Sequence, residues 1–166
     1  MGSSRGNVRL ELIPDEQEFG EAVDHGDVPP DGEEREVVLT TTYTGLHILQ
    51  VADGSDKTRI RWPDDLAVSL PCSLAEGVNW QGNLTFVFWV PQGVRTIGAF
   101  VKGTAEFVDG SGEKAGIFSS AAGDYVSLPV PAEQDGALWA LKNVRGRVAL
   151  MTVPPYVAVK PSGLLL

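Results

Sequence analysis

Cysteine and histidine are scarce in this sequence. Among 166 residues there are one cysteine, Cys72, and two histidines, His25 and His47. A single cysteine excludes an internal disulfide framework and any zinc site built from thiolates. Two histidines also provide few candidate ligands for a transition-metal site and few candidate bases for a catalytic triad. We therefore expect His47 to be a half-buried strand residue and Cys72 to be a small buried apolar residue.

Long apolar runs, phosphate-binding motifs and excess positive charge are missing as well. No segment approaches the roughly eighteen consecutive apolar residues of a transmembrane helix, and the first residues, MGSSRGN, show no signal peptide. Neither a glycine-rich nucleotide motif nor a G-x-S-x-G elbow occurs. The net charge of −9 argues against a nucleic acid partner. We therefore expect neither nucleic acid nor membrane as a partner.

The acidic charge is concentrated near the N-terminus. Residues 11–36 contain eleven acidic residues and one basic residue, Arg35. Proline and glycine interrupt this stretch, and runs of like charge are typically solvated. We therefore predict that residues 1–36 form an acidic arm or linker and that residues 37–166 form the folded module. A calcium-binding or partner-binding arm is the alternative, although the acids lack EF-hand spacing.

From residue 37 onward, segments typical of β-strands alternate with turn signals. Residues 37–43 are rich in β-branched side chains, residues 57–62 alternate in polarity, and residues 84–90 have apolar side chains at every even position. About ten short segments of this kind occur at regular spacing, without a convincing helix. We predict an all-β fold, namely a two-sheet β-sandwich of the jelly-roll type.

The four tryptophans are the strongest functional signal, because the apolar face of a sugar ring packs well on an aromatic plane. Trp80 lies among amide side chains in residues 77–83, which we predict to be a loop. That tryptophan is either a lid over the core or a ligand platform. Trp89 lies opposite an apolar strand face, so the core does not require it. We predict carbohydrate contacts from Trp80, Trp89, Asn79 and Gln81, and we expect Trp62 and Trp139 in the core.

Some aspartates occur in glycine-containing turns, where carboxylate and carbonyl oxygens can bind calcium. Asp53 and Asp56 are the candidate ligands for a structural calcium ion, while Asp109 and Asp135 occupy similar turns. An Asp-Gly pair is equally an ordinary hairpin turn. The adjacent pair Asp64 and Asp65 follows a predicted strand and is interpreted as a turn rather than as the two carboxylates of a glycosidase. We therefore predict that the chain is not an enzyme.

Seven short segments between residues 37 and 160 carry a resemblance to known modules, namely residues 44–47, 59–62, 89–93, 124–131, 135–139, 146–150 and 153–156. The five later segments resemble accessory β-sandwich modules of large secreted bacterial polysaccharide-degrading enzymes. Residues 44–47 and 59–62 resemble the early strands of jelly-roll carbohydrate-binding modules. The resemblance implies a jelly-roll fold and a non-catalytic role in sugar binding or between domains, and it assigns no ligand residue. The closing segment, PSGLLL, reads like part of a longer parent chain.

Taken together, these patterns predict a non-catalytic carbohydrate-binding or accessory module of a larger secreted, extracellular or periplasmic, bacterial protein. Its expected partners are a polysaccharide or oligosaccharide and the neighbouring domains of a parent chain. Two alternatives stay open. The first is a ligand-free structural module between domains, and the second is a small glycan hydrolase or lyase that uses carboxylates.

Overall fold

The computed structural model describes residues 6–15, 20–54, 58–76 and 79–165. The chain divides into two compact units, Met1–Arg61 and Trp62–Leu166, whereas the sequence-based boundary lay between residues 36 and 37. Strands make up 52% of the structure, and no α-helix occurs in the described residues, so the predicted all-β class is confirmed. The strands are β1 (Val8–Pro14), β2 (Asp24–Val28), β3 (His47–Ala52), β4 (Leu70–Pro71), β5 (Asn79–Val90), β6 (Thr96–Val108), β7 (Lys114–Pro129), β8 (Ala137–Leu150) and β9 (Tyr156–Val157).

The first unit is a three-stranded antiparallel sheet with the order β2-β1-β3. Apolar residues alternate with charged ones at the start of β1, and Val8, Leu10 and Ile13 are buried. This alternation is the pattern of a strand with one covered face. Two strands therefore form within residues 1–36, which the sequence analysis predicted to be an arm or linker.

Residues 37–43 were predicted to be a strand, and this prediction is wrong. Asp24 accepts hydrogen bonds from the backbone N–H of Thr40 at 2.7 Å and from its hydroxyl at 3.1 Å. Val37 packs against Gly26, where a Cβ would lie 2.5 Å from Val37 Cγ1. Val37 therefore packs against the sheet and Thr40 bonds to Asp24 without joining the hydrogen-bond ladder, whereas Val38, Thr41 and Thr42 are exposed.

The second unit is built on four long antiparallel strands in the order β5-β8-β6-β7. These strands have 12, 14, 13 and 16 residues in that order, so they are fewer and longer than predicted. A two-stranded sheet of β4 and β9 accompanies them, and Ala158 forms a bridge with Val87 on β5. None of the described residues forms a helix long and apolar enough to cross a membrane.

The core of the second unit lies on one face of the four-stranded sheet. The predicted alternation in β5 is confirmed for Phe86, Phe88 and Val90, which are buried, while Leu84 is exposed because the register shifts on both sides of it. Cys72 and Val157, from the segments around β4 and β9, belong to the same apolar cluster. Strands of the large sheet and these covering segments thus enclose one core, as in a sandwich-like fold.

Trp139 and Trp62 differ in their surroundings. Trp139 is only 1% exposed and donates a hydrogen bond from Nε1 to the carbonyl of Gln134 at 2.8 Å, so its predicted core position is confirmed. Trp62 is half-buried and Ile60 is exposed. The described residues 58–62 form no strand, so the predicted strand over residues 57–62, with Ile60 and Trp62 on its core face, is wrong for that part of the segment.

Strands β6 and β8 approach each other unusually closely at a pair of glycines. Gly103 and Gly146 are directly opposite in the register, with φ values of 107° and 92°. A Cβ on Gly103 would overlap the carbonyl oxygen of Arg145, and one on Gly146 would overlap that of Lys102. Glycine is therefore required at both positions by the backbone angle and by the neighbouring strand.

We expect Gly146→Ala to lower the free energy of unfolding by about 3 kcal/mol or more, because it combines backbone strain with a backbone overlap. The matched control is Gly112→Ala, whose φ of 90° is similar but which has open space around the added Cβ. That control should cost only about 1 kcal/mol. Urea unfolding of both variants measures the difference. Equal losses would contradict the close approach.

Candidate functional site

A groove crosses the four-stranded sheet of the second unit beside the two glycines. Its volume is about 490 Å³, within the usual range of ligand sites of roughly 300–1,000 Å³. It is open to solvent and combines a bare backbone floor with polar and charged side chains. The lining residues are Asn79, Lys102, Gly103, Ala121, Gly146 and Arg147.

Three polar side chains form one row across the groove. Asn79 on β5 is opposite Arg147 on β8, and Arg147 is opposite Lys102 on β6. Residues directly opposite in antiparallel strands share a face, with Cβ atoms about 5 Å apart. Asn79 and Lys102 are exposed and Arg147 is half-buried. The row therefore presents one amide and two cations to solvent side by side.

Within the part of the chain that the structure describes, the Arg147 side chain has one hydrogen-bond partner. Its Nη2 atom donates a hydrogen bond to the carbonyl oxygen of Leu74. Its Nε atom is buried and has no hydrogen-bond partner within the described residues. A guanidinium group has five N–H donors, so most of the donor capacity of Arg147 is free for another acceptor.

An aromatic pair continues the same face of the sheet. Phe100 lies two residues before Lys102 on β6 and is opposite Tyr125 on β7. The two ring centroids are 5.3 Å apart at an angle of 59°. Tyr125 is 70% exposed. Side chains two residues apart on a strand lie on one face about 7 Å apart, so this pair borders the groove.

An irregularity in β7 makes room for the groove. Val101 pairs with Asp124 while Gly103 pairs with Ser120, so residues 121–123 face the single residue Lys102. Gly123 has a φ of 99°, and a Cβ there would overlap the ring of Phe100. Bulges of this kind bend a strand and redirect its side chains. This bulge and the glycine pair together shape the groove at one level of the sheet.

The predicted loop around Trp80 is wrong, because Trp80 lies in strand β5, opposite Gly146. Its ring is half-buried, packs against the core, and has its centroid 4.4 Å from that of Phe86. Trp89 is also half-buried and is opposite Leu138. Trp89 is nine positions after Trp80 along β5, a distance of about 30 Å in an extended strand, so the two rings do not form one platform. Their assignment as sugar contacts stays a prediction.

Of the predicted sugar-binding residues whose side chains the structure describes, Asn79 alone lines the groove. Gln81 belongs to β5, but its side chain lies outside the described part of the structure. Asp53 is half-buried after β3, and Asp56 lies outside the described residues. No group of three or more potential ligands among His, Cys, Asp and Glu occurs in the described residues. Calcium at Asp53 and Asp56 therefore stays a prediction.

Other turn aspartates have structural partners. Asp109 Oδ1 accepts hydrogen bonds from the hydroxyl and backbone N–H of Ser111 and from the N–H of Glu113, which lower the pKa of its carboxyl group. Asp64 Oδ1 accepts a hydrogen bond from Lys160 at 2.7 Å, which likewise lowers the pKa of that carboxyl group. Asp135 Oδ2 accepts a hydrogen bond from the backbone N–H of Gly93 at 2.7 Å. Asp64 and Asp109 thus favour the ionised form, whereas a general acid needs a raised pKa.

His47 and Cys72 occupy the structural positions predicted for them. His47 begins β3, is half-buried, and forms ring hydrogen bonds with the carbonyl of Gly45 and the hydroxyl of Thr41. Cys72 is 1% exposed. Burial raises the pKa of its thiol to about 11, which disfavours the reactive thiolate.

Four residues of this face were not predicted from the sequence, namely Phe100, Lys102, Tyr125 and Arg147. A signal for this site was present, because Gly103 and Gly146 are isolated glycines inside strongly β-type segments. Such glycines suggest a bulge or a close backbone approach, and each one is next to a basic residue.

Comparison of the chain with protein-family models, with curated proteins and with solved structures finds no match. The groove is therefore the main structural feature from which a function can be inferred.

We expect Trp80→Ala to lower the free energy of unfolding by about 2 kcal/mol, because it removes a half-buried ring that packs on Phe86. Leu84→Ala, in the same strand but at an exposed position, is the control and should cost under about 1 kcal/mol. Urea unfolding compares the two variants. Unchanged stability of Trp80→Ala would support the original interpretation of Trp80 as a detached ligand platform.

Native Cys72 should resist alkylation by iodoacetamide near pH 8, because the thiol is buried and its raised pKa keeps it protonated. The same reagent should modify Cys72 rapidly in urea. Mass spectrometry measures both reactions. Rapid modification of the folded protein would show that the thiol is accessible and reactive.

Proposed function

We propose that the second unit is a non-catalytic carbohydrate-binding module of the jelly-roll type. In this proposal it serves as an accessory domain of a larger secreted bacterial protein that acts on glycans outside the cytoplasm. The observation that carries the proposal is an exposed, supported aromatic ring, Tyr125, beside a polar groove. The resemblance to accessory modules of polysaccharide-degrading enzymes supports the same function.

The setting of Tyr125 suits a stacking platform. Its ring is 70% exposed, yet the half-buried ring of Phe100 supports it from the side at a centroid distance of 5.3 Å. Tyrosine presents a large flat apolar area and loses little conformational entropy when a ligand covers it. The apolar face of a sugar ring matches such a surface.

The groove supplies the polar half of a sugar site. The Asn79 amide offers both donors and an acceptor, whereas Lys102 and Arg147 offer donors only. These groups lie on the face that Phe100 and Tyr125 share. A few placed polar groups next to an apolar surface are typical of small-molecule sites. A short oligosaccharide would therefore span the aromatic pair and the polar row.

Replacing the exposed ring should separate binding from stability. We expect Tyr125→Ala to weaken glycan binding by about tenfold or more, because stacking a sugar on an aromatic ring buries area worth about 1–3 kcal/mol. The unfolding temperature should change little, since the ring is mostly exposed. An array of neutral and acidic polysaccharides identifies the ligand, and calorimetry compares the variant with the parent chain.

Ile117→Ala is the matched control, because Ile117 is another large exposed side chain of β7, with 59% of its surface accessible. It should leave both binding and stability unchanged. Equal weakening by both variants would argue against a site at Tyr125. If the parent chain binds no polysaccharide at millimolar concentration, the ligand-free structural module becomes the better interpretation.

A further inference from the structure

The groove holds a pair of like charges that its own sheet does not neutralise. Lys102 and Arg147 are directly opposite on neighbouring strands. Two like charges at such positions destabilise a sheet, because their Cβ atoms are only about 5 Å apart. Arg145, opposite Thr104, adds a third cation two residues along β8. A bound anion would reduce the repulsion between these positive charges.

The two acids of the same sheet do not line the groove. Asp124 on β7 is opposite Val101, and Glu106 on β6 is bound elsewhere. Glu106 accepts a hydrogen bond from Asn143 at 3.0 Å and forms an ion pair with Lys114 at 3.6 Å. Within the described residues, neither Lys102 nor Arg147 forms an ion pair with a carboxylate. Arg147 instead uses one N–H on the Leu74 carbonyl and leaves its buried Nε without a partner.

The cations are local to the groove rather than a property of the unit. Residues 62–166 contain nine acidic and seven basic residues, so this unit has a net charge of −2. Two of the seven basic residues nevertheless line one groove of six residues, which contains no acid. A generally basic surface would attract any polyanion, whereas an isolated pair favours a ligand that also fits the groove.

We infer that the groove binds an anionic sugar residue, whose carboxylate or sulfate group lies against Lys102 and Arg147 while its ring faces Phe100 and Tyr125. This inference rests on the proposed carbohydrate-binding function and names its ligand class. Lysine supplies a mobile ammonium group, and arginine supplies N–H donors in a fixed plane that matches two anionic oxygens. Asn79 then contacts a neighbouring hydroxyl group.

The chemistry favours an acidic glycan over a nucleic acid. A nucleic acid backbone carries a phosphate at every nucleotide, and its binding normally requires a stripe of many basic residues. Two opposed cations beside an aromatic pair match one anionic group on one sugar ring, and they form no stripe of basic residues that would follow a phosphate backbone.

The test measures retention of the full chain in affinity electrophoresis on gels that contain one polymer each. Polygalacturonate presents carboxylates and dextran sulfate presents sulfates, whereas carboxyl-reduced polygalacturonate and unmodified dextran are their neutral counterparts. We expect retention by at least one anionic polymer and at least tenfold weaker retention by its neutral counterpart. The anionic polymer that slows the migration of the protein shows which anionic group the groove binds.

Lys102→Gln should weaken binding to that polymer about tenfold, as expected for the loss of one charge-assisted hydrogen bond. Lys114→Gln is the matched control, because it removes the same charge from the same sheet outside the groove. It should retain nearly full affinity. Equal weakening by both variants would indicate a general attraction between charges and would overturn the inference.

The remaining outcomes distinguish failure of this inference from failure of the proposed function. Binding of the neutral polymers with unchanged affinity in Lys102→Gln would overturn the anionic ligand and leave carbohydrate binding standing. Absence of binding to these polymers and to the polysaccharide array would overturn both. Binding of a single-stranded oligonucleotide more tightly than the anionic polymers, with loss in Lys102→Gln, would overturn the sugar assignment in favour of a phosphate ligand.

Discussion

The close approach of β6 and β8 at Gly103 and Gly146 is the constraint on which the second unit depends. With no side chain at either position, the two backbones meet at a distance that any other residue would prevent. This contact fixes the register that places Lys102 opposite Arg147. It also provides the bare floor of the groove. The core and the site therefore share one structural cause, and a change at either glycine would alter both.

The sequence predicts the fold well where burial on one face determines the pattern. Alternation in β5 identifies the buried side chains Phe86, Phe88 and Val90, because the sheet has one covered face. It fails for residues 37–43, whose β-branched composition looks like a strand. In that segment the Asp24 carboxylate binds the backbone of Thr40, and the Val37 side chain packs on Gly26. These contacts take the place of hydrogen bonds between strands. No local pattern contains that information.

Much of the candidate site could not be predicted for a similar reason. Lys102 and Arg147 are 45 residues apart, and only the register of β6 with β8 makes them neighbours. Tryptophan was the stronger signal in the sequence, yet Trp80 packs on Phe86. The exposure of Tyr125 could not be predicted, because it depends on the position of β7 at the edge of the sheet. Asn79, predicted as a sugar contact because it is next to Trp80, lines the groove, and its contact with a sugar stays a prediction.

Net charge and local charge lead to different expectations for this chain, and the local arrangement decides what the groove can bind. Most of the acidic excess belongs to the first unit, where residues 1–61 contain thirteen acids and six bases. Within the second unit, Glu106 and Asp135 are paired with Lys114 and Arg95. Lys102 and Arg147 line a groove that contains no acid. The local charge at the groove is therefore positive although the chain as a whole is acidic.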